Sequence, residues 1–180
     1  MINTSHAYTE DLDETYGTKP RSQESDADRL IEAAHEHDWV TRRVAVGSGV
    51  WTEDHVRSLQ NVGITHVIDC RTAASAEYLY RGSGIQFFHC GTEDDGLLKP
   101  AEWFHRGIAF GLGALSVRSN RLLVNCAAGV NRGPSMAYAI LRATGMPHLQ
   151  AKLAIQRNRP IAALRYMADA ERALASWRTK

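Results

Sequence analysis

Leu122-Leu-Val-Asn-Cys-Ala-Ala-Gly-Val-Asn-Arg-Gly-Pro-Ser135 decides how the chain is read. Leu122–Val124 has the apolar character of a short buried strand, and Pro134 opens a segment through Thr144 that suits a buried helix. Cys126 and Arg132 lie between them, joined by Ala127, Ala128, Gly129, Val130 and Asn131. A loop of small residues leading from strand into helix can turn successive N–H groups toward one centre. The unpaired N–H groups at the start of the helix add positive charge there. Such a nest suits a tetrahedral phosphate. A cysteine at its base has its thiolate stabilised by the helix end and by Arg132, and only the thiolate is a nucleophile. Gly129 allows φ > 0, and the guanidinium of Arg132 offers a planar fork for two phosphate oxygens. The competing readings are an inert strand-end cysteine and a surface arginine. The second is disfavoured, because a cation at a helix N-terminus is unfavourable unless an anion sits beside it.

Working outward, Val44–Val46 predicts a strand ended by Gly47-Ser-Gly49, followed by a helix containing Val56 and Leu59 that begins after Thr52 and closes at Gly63. Ile64–Ile68 and Ile85–Phe88 predict two more strands. Phe104, Ile108, Leu112 and Leu115 predict a helix between Lys99 and Val117, although Gly107, Gly111 and Gly113 each weaken it by up to ~1 kcal/mol. Further helices are expected over 148–157 and 160–177, and a short one in the segment starting at Asp26 that holds Leu30, Ile31 and Ala34. Alternating strands and helices imply an α/β fold, with a central, largely parallel sheet flanked by helices. In such sheets, ligands sit beyond the carboxyl ends of the strands, where the residues after Val124 fall.

The chain of 180 residues with 44% hydrophobic content suits one core. Residues 1–25 hold almost no large aliphatic side chains and are expected to form a disordered acidic tail, leaving 26–180 as a single domain. Residues 1–40 carry ten Asp/Glu against three Lys/Arg, and the remainder eighteen basic against ten acidic groups. A body with that excess of eight positive charges is compatible with an anionic substrate. No apolar run approaches the roughly 20 residues that span a bilayer, and no signal core opens the chain, so a cytoplasmic protein is expected. The three cysteines Cys70, Cys90 and Cys126 are too few for a disulfide framework and are expected reduced. His35, Glu36 and His37 have no evident third metal-ligand partner and read as a solvated helix face. No metal or cofactor is expected.

A departing oxygen needs an acid, and Glu93-Asp-Asp-Gly96 supplies candidates in a turn after the third strand. Asp94 and Asp95 are equivalent at this level. Either would need its pKa raised to act as a general acid near neutrality.

These residues resemble a known family: Val124–Ser135 is similar to the HCxxGxxR signature loop of protein tyrosine and dual-specificity phosphatases. Val44–Asp69 resembles the entry strand, helix and second strand of the small dual-specificity type. Thr92–Gly96 with Trp103–Phe110 resembles the acid loop and next helix, and Leu153–Pro160 the late helix ending in a basic pair and proline. The resemblance implies a phosphomonoester hydrolase of protein tyrosine phosphatase-like fold working through a phosphocysteine on Cys126. Residues 127–132 would hold the phosphate, and no metal would take part. Asp94 matches the family's acid by its spacing to Phe104 and Cys126, and Asp95 matches the subset with Asp directly before Gly. Two departures stand out. Asn125 replaces the usual His, predicting a less depressed thiol pKa, and Gly133 replaces the usual Ser or Thr, with Ser135 two positions later, predicting slower turnover.

The expected partner is a phosphorylated protein. Phosphoinositides, nucleotides and RNA 5′-phosphates are substrates for the same chemistry; no other nucleic-acid partner and no membrane is expected. A phosphate-binding pseudophosphatase is the competing class, motivated by Asn125 and Gly133. Rhodanese-like or arsenate-reducing enzymes share the Cys-to-Arg spacing but leave the acid turn unexplained. Cys70 invites a reversible disulfide with Cys126, against the commoner fate of a buried core thiol. Tyr8 and Tyr16 lie among acidic residues and raise the idea of self-substrates.

Overall fold

The computed structural model describes residues 34–72 and 76–177. The expected tail, Tyr8 and Tyr16, and residues 26–33 of the segment expected to hold a short helix lie outside the described residues.

Strands β1 (His37–Trp39), β2 (Val44–Gly47), β3 (His66–Asp69), β4 (Gln86–His89) and β5 (Leu122–Asn125) form one sheet in the order β1-β2-β5-β3-β4. All neighbours are parallel except the β1–β2 edge pair. The helices are α1 (Glu53–Asn61), α2 (Ala101–Ser116), α3 (Arg132–Ala143), α4 (His148–Asn158) and α5 (Met167–Trp177), with a 3₁₀ turn at Ala76–Tyr80. The α/β expectation holds, and the parallel register brings Gly47, Asn125, Asp69 and His89 level at one end of the sheet.

Strand alternation divides the core in two. Val44, Val46, Ile68, Leu122 and Val124 face one side, in one cluster with Phe104, Ile108, Met136, Ile140, Ile155 and Leu174 of α2–α5. Ala45, Val67 and Leu123 face the other, with Val56 and Leu59 of α1 and Leu79 and Tyr80 of the 3₁₀ turn. Both faces of β5 are thereby covered, which is why Leu122–Val124 reads as an unbroken apolar run.

The glycines of α2 divide by environment. A Cβ on Gly111 would come within 2.8 Å of Ile140 Cδ1, and one on Gly107 would collide with Met136 Sδ, whereas one on Gly113 meets nothing. Gly107 and Gly111 therefore let α3 approach α2 closely, which offsets their helix-propensity cost. Thr52 caps α1 by accepting from His55 N at 3.2 Å, and Gly63 follows that helix at φ 78°.

Two expectations are corrected. Residues 37–39 form an edge strand, not the end of a helix. His35 is consequently not solvated: it is 4% exposed, its Nε2 donates to Ser48 O at 3.0 Å, and its ring packs on His37 and His55. The helix expected over 160–177 begins only at Met167. Residues 160–166 are held instead by Ala163 N donating to Val130 O at 2.9 Å, and Leu164 takes φ 52°, which no helix accommodates.

Two measurements follow from this packing. In chemical denaturation, Gly113→Ala gains up to ~1 kcal/mol and Gly111→Ala loses about 1–3 kcal/mol; equal responses would refute the close-approach account. Burial, the largest cause, lowers the His35 pKa from 6.5 to about 4. Between those values the unfolded chain takes up a proton that the folded chain refuses, so stability is full above pH 6.5 and falls on acidification. The total loss is on the order of 3 kcal/mol, and His35→Gln flattens that slope.

Candidate active site

The strand β5 ends at Asn125, and the chain turns through Cys126–Asn131 into α3, at the end of the sheet where parallel α/β folds place ligands. Cys126 N donates to Gly47 O at 3.4 Å, and Gly49 N donates to Ala127 O at 2.9 Å, tying the loop to the end of β2. Gly129 has φ 65°, and a Cβ there would lie 2.7 Å from Gly47 O, so both conformation and space demand glycine. Cys126 is 1% exposed and Arg132 8%, while Ala127 and Ala128 are exposed and Val130 and Asn131 half-buried. Among the described residues, the backbone N–H groups of Ala127 through Arg132 have no acceptor. Six consecutive free donors, from the residue after the cysteine to the arginine itself, have the chemistry of an anion-binding nest.

Arg132 is aimed by the neighbouring strand ends. Its Nη1 donates to Thr92 O at 2.9 Å and Cys70 O at 3.4 Å, and its Nε lies 3.5 Å from Asp94 Oδ2. Asp94 also accepts from Tyr166 Oη at 2.7 Å and from Asn131 Nδ2 at 3.3 Å. Asp95 turns elsewhere: it pairs with Lys99 and accepts from Leu97 N at 2.9 Å. The Lys99 hydrogen bond, the largest cause, holds its carboxyl below the ordinary carboxylate range. Of the two aspartates that the sequence leaves equivalent, the structure brings Asp94 to the loop and fixes Asp95 on a lysine.

Cys70 and Cys90 are buried free thiols. Burial, the largest cause, pushes the Cys70 thiol well up and that of Cys90 up to about 11, so neither is a ready nucleophile. Ser135 Oγ accepts from Tyr166 N at 3.2 Å. Asn125 is fully buried, and neither polar atom of its side chain has a hydrogen-bond partner among the described residues. Among the described residues no group of three or more His, Cys, Asp or Glu is arranged to hold a metal ion, and no helix is long and apolar enough to cross a membrane.

Sequence reasoning missed the outer brace. Arg159, 2% exposed, donates from Nε to Gly129 O at 2.8 Å and from Nη2 to Ala128 O at 3.0 Å. The same guanidinium pairs with Asp38 Oδ2 at 2.7 Å and Glu36 Oε1 at 2.8 Å. Glu36 and Asp38, two apart, reach one side of β1, a spacing visible only once that segment is read as a strand. Arg71 is likewise locked onto Asp69, donating from Nε to both carboxylate oxygens at 2.9 and 3.0 Å, and its guanidinium lies 4.1 Å from the Trp51 ring centroid.

A loop of unpaired amides at the carboxyl ends of parallel strands, entered from a cysteine and closed by an arginine, accompanies a protein tyrosine phosphatase-like fold. The catalytic-domain model of the dual specificity phosphatases matches residues 49–167, and the chain belongs to that family. It is 27% identical over 132 residues to human dual specificity protein phosphatase 13B, covering 69% of this chain and 65% of that protein. The chain thus spans just under two-thirds of that relative. In fold it is similar to the human tyrosine phosphatase-like serine/threonine/tyrosine-interacting protein, with a TM-score of 0.66, 19% identity and coverage of 80% of this chain and 99% of the other. It is also similar to PTPMT1 in complex with PI(5)P, with a TM-score of 0.63, 16% identity and coverage of 77% and 96%.

Replacing Arg159 by Met strips two loop carbonyls of their donor and leaves Asp38 and Glu36 unpaired. Since both carboxylates are partly solvated, the expected loss is roughly 2–4 kcal/mol in chemical denaturation. Lys, lacking the fork, restores little of it.

Proposed function

We propose that the chain hydrolyses phosphomonoesters through a cysteinyl-phosphate, with phosphorylated proteins as its substrates. The observation that carries this reading is the run of six N–H groups from Ala127 to Arg132, directly following Cys126, that have no acceptor among the described residues. In the first step the Cys126 thiolate attacks phosphorus. The ester P–O bond breaks, and the Asp94 carboxylic acid gives its proton to the departing oxygen. In the second, water attacks the phosphocysteine and loses a proton to Asp94, and the S–P bond breaks to release phosphate and regenerate the thiolate. The loop amides and Arg132 hold the non-bridging oxygens in both steps, preorganised where charge is greatest.

Asp94 is the acid rather than Asp95 because it alone faces the loop. Its carboxylate also lies 3.5 Å from Arg132 Nε, beside the guanidinium that would hold the phosphate oxygens. Asp95, paired with Lys99, remains the anion that fixes the loop. Three free cysteines suit a reducing compartment, and we place the protein in the cytoplasm.

Hydrolysis of p-nitrophenyl phosphate tests the reading. Cys126→Ser abolishes turnover. Asp94→Ala lowers kcat about 10²–10⁴-fold and removes the limb of the pH–rate profile that reports the acid, while Asp95→Ala costs less than tenfold and keeps the limb. Tight phosphopeptide binding without wild-type turnover would instead identify a pseudophosphatase, the alternative that the buried, unpartnered Asn125 amide motivates. A panel of phosphopeptides, phosphoinositides, nucleotides and RNA 5′-phosphates compared by kcat/KM ranks the substrates, and peptides are expected first.

A further inference from the structure

At the opposite end of the sheet, where β2, β3 and β5 begin, Arg42, Arg43, Arg118, Ser119 and Arg121 line a cleft of roughly 520 Å³. Two of the guanidiniums are fixed in place. Arg43 Nη1 donates to Leu115 O at 2.9 Å and Val117 O at 3.0 Å, and Arg121 Nη1 donates to Val62 O at 2.9 Å. Arg42 and Arg118 are exposed, with no hydrogen-bond partner among the described residues. No carboxylate of the described residues pairs with any of the four. Four like charges around one cleft repel one another, a cost that an anion removes, and planar forks select oxyanions over other anions. Beside this cleft and sharing Arg42 and Arg43 lies an apolar pocket of roughly 310 Å³, with Val44, Leu115, Leu141 and Met146 in its wall.

We infer that this end of the domain is a docking site for a partner protein, taking an extended segment in which clustered carboxylates flank one aliphatic side chain. The carboxylates meet the four arginines and the aliphatic group fills the adjoining pocket. Two concavities side by side fit such a segment better than they fit a bilayer, which asks for protruding apolar groups. The site sits at the far end of the strands from Cys126, so a docked partner leaves the phosphate loop open and raises the local concentration of any phosphate it carries. The chain's own Glu10-Asp-Leu-Asp-Glu14 has matching chemistry. However, β1 runs antiparallel to β2, so the chain reaches residue 37 beside Gly47, at the catalytic end. A segment on another molecule meets the arginines without first running back along the domain.

The probe is an end-blocked, fluorescently labelled peptide Glu-Asp-Leu-Asp-Glu, titrated with the full chain by anisotropy. Saturable binding is expected that weakens as salt is raised and falls about tenfold in Arg42→Glu/Arg118→Glu, with p-nitrophenyl phosphate turnover and Tm unchanged. The milder Arg42→Gln/Arg118→Gln gives the same direction should the reversal disturb folding. A probe with Ser for Leu binds several-fold more weakly. Four results would overturn the inference: no saturation, equal affinity in the variants, displacement by vanadate at concentrations that block turnover, or preferential capture by phosphatidylserine vesicles. Tenfold tighter peptide binding when Glu10, Asp11, Asp13 and Glu14 are neutralised in the full chain would also overturn it, by making the chain's own segment the occupant. Saturation, its salt dependence and the response to the arginine variants are read from binding alone, so failure here and failure of the phosphatase reading are separable.

Discussion

The structure depends on one constraint: a backbone turn that leaves six consecutive N–H groups without acceptors among the described residues must be held open by everything around it. A loop free to relax would fold those donors onto nearby carbonyls, because unpaired backbone groups are costly wherever water does not reach them. Relaxation is blocked on three sides. Gly47 O and Gly49 N grip its start, Ala163 N takes Val130 O, and Arg159 occupies the carbonyls of Ala128 and Gly129. With those carbonyls engaged, fewer acceptors remain within the loop for its own amides. The rim residues of the sheet thus act by consuming acceptors, which keeps the loop's donors from being spent within the fold.

The same economy explains the two aspartates. Adjacent carboxylates in one turn repel, and separate partners resolve the conflict: Lys99 for Asp95, and Arg132, Tyr166 and Asn131 for Asp94. Lys99 is buried against the Tyr166 ring at 4.8 Å, while Tyr166 Oη donates to Asp94 and accepts from Gly96 N at 3.1 Å. The turn is therefore locked to the segment leading into α5. That segment is the one whose helical reading fails, and the reason is now physical: residues 159–166 spend their backbone and side-chain groups on the loop after β5 and on the Glu93–Gly96 turn.

Much of this was legible in the sequence. The run Leu122–Val124 announces a strand buried on both faces, Thr52 and Gly63 bracket α1, and Cys126 with Arg132 stands where an α/β sheet puts its ligands. What stayed hidden depends on contacts distant in sequence. Arg159 lies 121 residues from Asp38, and nothing in either neighbourhood signals the pair. His35–Trp39 reads as a helix continuation because its edge-strand pairing is supplied by β2, not by its own periodicity. Asp94 and Asp95 are indistinguishable until Lys99 and Arg132 are placed in space.

The two departures from the family pattern prove to be neighbours. A Cβ on Gly133 would stand 3.1 Å from Asn125 C and 3.2 Å from Cys126 N, so a side chain after the arginine would press on the backbone that carries the cysteine. Asn125 directly precedes that cysteine and brings an amide whose buried polar atoms find no partner in the described structure. A side-chain amide that cannot satisfy itself costs free energy at the point where the loop departs from the sheet, and a missing Cβ across from it relieves the crowding. The loop's backbone geometry therefore draws nothing from the Asn125 amide, and Gly133 contributes only the space that its missing Cβ leaves. That geometry rests on Gly129, on the strand ends and on the Arg159 brace, all of which act on the main chain rather than on the sulfur.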